Sequence, residues 1–106
     1  MLSGKERIQD YLKRYAFNML KQNIRYCETL GVKSVFTLWS LSVKQGTFDY
    51  LSEIGCSHRF VPNFNGEKVF SGSWQIKTKD GEEFGFSVAF DLDLVKRTRD
   101  YVKVYS

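Results

Sequence analysis

Proline and histidine each occur once, at Pro62 and His58, and cysteine only twice, at Cys27 and Cys56. Pro62, the only proline, suits a strand edge or a loop. With a single histidine, proton transfer near neutral pH rests on His58 or on a carboxylate of shifted pKa. The two cysteines lie far apart and match neither a redox nor a zinc motif, so the expectation is reduced, partly buried thiols, with a disulfide or a metal-binding or reactive thiol as alternatives. No P-loop, dinucleotide, zinc-protease or EF-hand spacing occurs. Neither a metal nor a cofactor is therefore expected. No apolar run reaches the length of a membrane span, and Met1-Leu2-Ser3-Gly4 has none of the parts of a signal peptide. These absences lead to the expectation of a cytoplasmic protein with no membrane association.

What the chain does have is aromatic bulk and a mild positive charge. Nine Phe, six Tyr and two Trp among 106 residues are enough to build a core without metal or disulfide staples, and a single domain over 1–106 is expected. The net charge of +4 permits attraction to nucleic acid or to an acidic protein surface.

Ser3-Gly4-Lys5-Glu6 has capping-box spacing, and the apolar positions Ile8, Leu12, Tyr15, Met19, Tyr26 and Leu30 recur with helical period. This predicts a helix over 4–30, with Gly31 as its left-handed stop. Its apolar positions, including Phe17 and Ile24, cover more than half the circumference, so most of the helix has to be covered. A small sheet falls short of that; a second helix, a partner or a second copy would cover the rest. The remaining arc, roughly 60° wide, is cationic and carries Arg7, Arg14, Lys21 and Arg25 with Asn18, flanked by Asp10 and Glu28.

Lys33 to Val43 is rich in β-branched and aromatic residues. Val35, Thr37, Trp39, Leu41 and Val43 share one parity, which predicts a strand, although Val35, Phe36, Leu38 and Trp39 also fit a helical face. Thr47 is then expected to cap a short helix carrying Phe48, Tyr50, Leu51 and Ile54, ended by Gly55. Asn65-Gly66 and Asp80-Gly81 are hairpin signals. Around them Phe70, Trp74 and Ile76, then Phe84, Phe86, Val88, Phe90, Leu92 and Leu94, keep one parity and define an apolar sheet face. A last strand is predicted over Tyr101 to Tyr105. The expected architecture is α+β: one long N-terminal helix packed on a curled antiparallel sheet of three to five strands, with a short second helix.

Three kinds of function are weighed against these residues. For catalysis, Cys56 with His58 could form a nucleophilic pair, and Asp91 with Asp93 could face a divalent cation as in a small nuclease. The plainer readings are a half-buried loop histidine and the wet face of a strand, and enzyme activity is not the favoured outcome. For nucleic-acid binding, Arg7, Arg14 and Lys21 recur every seven residues, about 10 Å apart along a helix. Lys96, Arg97, Arg99 and Lys103 make a second basic cluster. For protein binding, the same cations would steer the domain onto an acidic partner, with Tyr101, Tyr105 or Phe64 as an aromatic anchor.

In size and style the chain resembles the short accessory proteins that phages and mobile elements encode to modulate larger machines. That resemblance is one of type and assigns no residue a role. It implies a non-enzymatic protein, monomer or homodimer, that docks on and modulates or inhibits a larger macromolecule, within a host cell where the type holds.

Overall fold

In the computed structural model, which describes residues 3–66 and 68–97, the first helix begins where the capping box puts it. Ser3 Oγ accepts from the Glu6 backbone amide at 3.1 Å, and α1 runs Gly4–Tyr26. It ends earlier than the predicted 30. Residues 27–30 form the connecting turn, closed by Leu30 N–H donating to the Cys27 carbonyl at 2.8 Å. Gly31 is not a left-handed stop: with φ −71° and ψ 163° it is the extended N-cap of the next helix, a position glycine fills readily.

That next helix, α2, runs Val32–Glu53 and corrects two expectations. Lys33 to Val43 is helical rather than a strand, and Thr47 lies inside the helix rather than capping a short one. The buried residues Val35, Trp39, Val43, Thr47 and Leu51 recur every fourth position. A spacing of four keeps one strand parity and also returns to nearly the same helix face, so parity cannot separate the two. The positions between them decide the matter: Thr37, Leu41, Gln45 and Asp49 share the parity yet are exposed. The helix ends at Ile54, and Gly55, with φ +80°, supplies the left-handed turn.

Three antiparallel strands follow in the order β1 (Ser57–Asn65), β2 (Val69–Lys77) and β3 (Glu83–Asp91). The predicted hairpins form, with Gly66 at φ +64° and Gly81 at φ +87°. Among the described residues the sheet is open and three-stranded, so five strands are not supported. The region Tyr101 to Tyr105 lies outside the described residues. The apolar strand pattern also stops earlier than predicted. Leu92 and Leu94 belong to a short helix, α3 (Leu92–Arg97), which starts where Asp91 Oδ1 accepts the Leu94 amide at 3.2 Å. This is N-cap chemistry.

The register stacks aromatic rungs on the inner face: Phe60, Trp74 and Phe86 lie side by side, as do Phe64, Phe70 and Phe90. The two long helices form an antiparallel hairpin on that face, with α2 packed on β1 and α1 on β3. Two tryptophans tie the layers together. Trp39 Nε1 donates to the Ala16 carbonyl at 2.9 Å, joining the helices, and Trp74 Nε1 donates to Thr47 Oγ1 at 3.2 Å, joining sheet to helix. All four residues are fully buried.

Candidate functional site

On α1 the cations lie along the edge left uncovered. Arg7, Arg14, Asn18 and Arg25 are exposed, and the Lys21 ammonium sits 5.0 Å from the centroid of the Phe17 ring. Arg14 is 3.0 Å from Asp10 Oδ2 on a well-exposed surface, a pair of little energetic weight. On a helical projection Tyr11 and Tyr15 lie to one side of this row, and Phe17 and Ile24 to the other. The cations are thus a ridge with a concavity on each side.

The first concavity joins α1 to the second half of α2. Arg7 and Arg14 line it with Tyr11, Tyr15 and Tyr50. The Tyr11 ring stacks on Tyr50 with centroids 3.6 Å apart and on Tyr15 at 5.9 Å. Tyr15 Oη points to the Ser42 carbonyl at 3.5 Å and lies against Gly46, where a Cβ would collide with it. That glycine is what lets the ring lie flat on α2. Burial, and then the neighbouring Tyr11, push the Tyr15 and Tyr50 hydroxyls above their ordinary values, so both stay protonated donors at neutral pH.

The second concavity, of about 760 Å³, opens where the turn between the helices meets α3. Lys21 and Arg25 of α1 and Lys96 of α3 stand around it, over aliphatic side chains that include Ile24, Val32 and Val95. Two basic groups separate in sequence are therefore brought together in part. Arg97 is exposed on α3. Arg99, Lys103, Tyr101 and Tyr105 lie outside the described residues. Phe64 is half-buried, with its ring 5.2 Å from Phe36 and 5.5 Å from Phe70, which commits much of it to the core.

The candidate catalytic residues are occupied in other ways. Cys56 is buried, and burial, with Asp80 nearby, pushes its thiol up, the opposite of what a reactive thiolate needs. His58 lies edge-on to Phe48 at 5.5 Å, and burial pushes its imidazole down. Asp91 and Asp93 do not share a strand face. The first caps α3, and the second pairs with Lys68 at 3.1 Å. Among the described residues no three His, Cys, Asp or Glu side chains gather as a metal-binding set, and no helix is long and apolar enough to cross a membrane.

The tyrosine group was missed from sequence because it spans two helices. Tyr11 and Tyr15 are a turn apart, but Tyr50 joins them only once the stretch before it is known to be helical. The aliphatic floor of the second groove was missed for a similar reason, since Val32 and Val95 come from elements read differently. No family model, curated protein or solved structure matches this chain.

Proposed function

We propose that this protein works without catalysis of its own, as an interaction module that docks on a larger macromolecule and modulates or inhibits it. The observation that carries this reading is the ridge: Arg7, Arg14, Lys21 and Arg25 follow one edge of α1 between two concavities. Such a row draws an acidic protein surface into register, while the concavities accept the side chains that anchor it. In kind the protein then stands with the short modulators of phages and mobile elements.

The test is affinity capture from the native cell, with and without nuclease, using the parent chain and an Arg14→Glu, Lys21→Glu double variant. Arg14 is exposed and Lys21 is half-buried over the Phe17 ring, so circular dichroism first establishes that the double variant folds. Loss of a nuclease-resistant partner from the double variant alone supports the reading. Equal capture by both chains removes the ridge from it.

Nucleic-acid binding is the second reading, favoured by the seven-residue recurrence of Arg7, Arg14 and Lys21 and by the tyrosine rings beside the first two. It requires a mobility shift at low salt and an affinity that falls steeply as salt rises. No shift at low salt disposes of it.

A further inference from the structure

The groove at the turn between the helices is built differently from the rest of the ridge. Among the described residues the charged groups lining it are the cations Lys21, Arg25 and Lys96 and a single carboxylate, Glu28. Among the described residues the ion pairs are Arg14 with Asp10, Lys68 with Asp93 and Lys77 with Glu83, so none of the three cations is engaged in one. Val32, at its edge, is the first residue of α2, a helix whose N-cap Gly31 offers no side-chain acceptor and whose first turn holds no acidic residue. The partial positive charge of that helix start therefore adds to the three cations. Beneath them the lining is aliphatic, and Leu30 on the rim is 52% exposed.

Two chemistries meet in this groove, and together they narrow the ligand. Cations alone would suit any polyanion. A nucleic-acid strand, however, gains its non-ionic binding from bases stacked on aromatic rings, and among the described residues no aromatic side chain lines this groove. Its volume, about 760 Å³, is of the size that encloses several side chains. Apolar side chains of a protein segment gain by leaving water against Ile24, Val32 and Val95, and carboxylates beside them meet the rim.

We infer that this groove receives an amphipathic acidic segment of a protein partner, its apolar side chains on the aliphatic floor and its carboxylates on Lys21, Arg25 and Lys96. The inference rests on the docking reading above and narrows it to one class of ligand at one place.

The probe is a fluorescein-labelled synthetic helical peptide with Leu at i, i+3, i+4 and i+7 and Glu at the other positions. Two control peptides carry Gln for Glu, or Ser for Leu. Binding to the full chain is read by fluorescence anisotropy, with an unlabelled oligothymidine as competitor. The parent peptide is expected to bind at least about tenfold tighter than either control, a difference of about 1.4 kcal/mol, and to resist the competitor. Val32→Glu and Lys21→Glu should each weaken it by a similar factor. Lys44→Glu, which makes the same charge change elsewhere on α2, should not. Val32→Glu places an acid in the first turn of a helix, which favours the helix, but it also removes a side chain packed against the core, so circular dichroism and a urea midpoint establish the fold before loss of binding is read as loss of the groove.

Equal binding of all three peptides, displacement by the oligonucleotide, or no binding at all overturns the assignment. So does full affinity in a folded Val32→Glu chain. If the peptide fails while the Arg14→Glu, Lys21→Glu variant still loses its cellular partner, the groove assignment falls and docking stands. If neither effect is seen, both fall.

Discussion

Thr47 offers a sharp test of how the sheet is fastened to the helices. It is fully buried in α2, where its hydroxyl donates to the Val43 carbonyl at 2.7 Å and accepts from Trp74 Nε1 at 3.2 Å. Thr47→Val keeps the shape of the side chain and removes the acceptor. The Val43 carbonyl stays within the helical ladder, but the Trp74 N–H, on a residue with 0% exposure, is left with no partner. A buried donor left unsatisfied costs about 1–3 kcal/mol, and the added methyl returns a little under about 1 kcal/mol. The expected net loss is about 0–2 kcal/mol, or a fall in Tm of roughly 4–8 °C per kcal/mol for a domain of this size. Urea denaturation followed by far-UV circular dichroism measures it without relying on tryptophan fluorescence. The decisive comparison is a double-mutant cycle with Trp74→Phe, in which the N–H is already absent. There Thr47→Val should be neutral or slightly stabilising, giving a coupling equal to the cost of the unsatisfied N–H, about 1–3 kcal/mol. An equal cost of Thr47→Val in both backgrounds would mean that the hydrogen bond does not hold the layers together.

Three further outcomes follow from single groups. Among the described residues Asn23 Oδ1 is buried without a hydrogen-bond partner, so Asn23→Leu should raise stability by about 1 kcal/mol; a lower Tm would contradict this. Gly46→Ala puts a Cβ into Tyr15, and overpacking of about 1–3 kcal/mol outweighs the roughly 1 kcal/mol that alanine contributes to a helix. In a Tyr15→Ala background the sign should reverse, and urea midpoints of the four chains show whether it does. Burial holds the His58 imidazole below its ordinary 6.5 in the folded chain. The unfolded chain therefore takes up the proton first, and the stability contributed by neutral His58 is complete above about pH 6.5 and declines as pH falls toward the folded value. Comparing urea midpoints at about pH 7.5 and about pH 5.5, His58→Gln should flatten this part of the profile; an unchanged slope would assign it to other groups.

The second half of the fold was the more legible from sequence because its signals are local. Asn65-Gly66 and Asp80-Gly81 mark their turns by backbone chemistry, and the strict alternation of Phe84, Phe86, Val88 and Phe90 has no helical counterpart. The end of β3 was misplaced because Leu92 and Leu94 continue that alternation, while the interruption comes from Asp91, whose carboxylate starts a helix instead of facing water as a strand residue. The longest error, Lys33 to Val43, came from the opposite condition. Val35, Trp39 and Val43 fit both periods, and the β-branched composition tilted the reading toward strand. Within α2 two of its hydroxyls are taken up locally: Thr37 Oγ1 donates to the Lys33 carbonyl at 3.0 Å and Ser40 Oγ to the Thr37 carbonyl at 3.0 Å.

The candidate site was half legible, and the missing half has the same cause. An apolar arc wider than half a helix cannot be satisfied by one neighbour, so the width seen in the sequence already required a second. The structure supplies it on both flanks of the cationic row: Tyr11 meets Tyr50 of α2 on one side, and Phe17 meets Phe90 of β3 on the other, with ring centroids 5.9 Å apart. The tyrosine furrow lies on the α2 flank and follows from the breadth of the apolar arc, whereas the second opens at the end of α1, where the turn between the helices meets α3. Variants that loosen one flank, such as Gly46→Ala at the tyrosine stack, should accordingly disturb ligand contacts of Arg7 and Arg14 while leaving those of Lys21, Arg25 and Lys96 in place. If the two halves of the ridge responded together, they would form one site and not two.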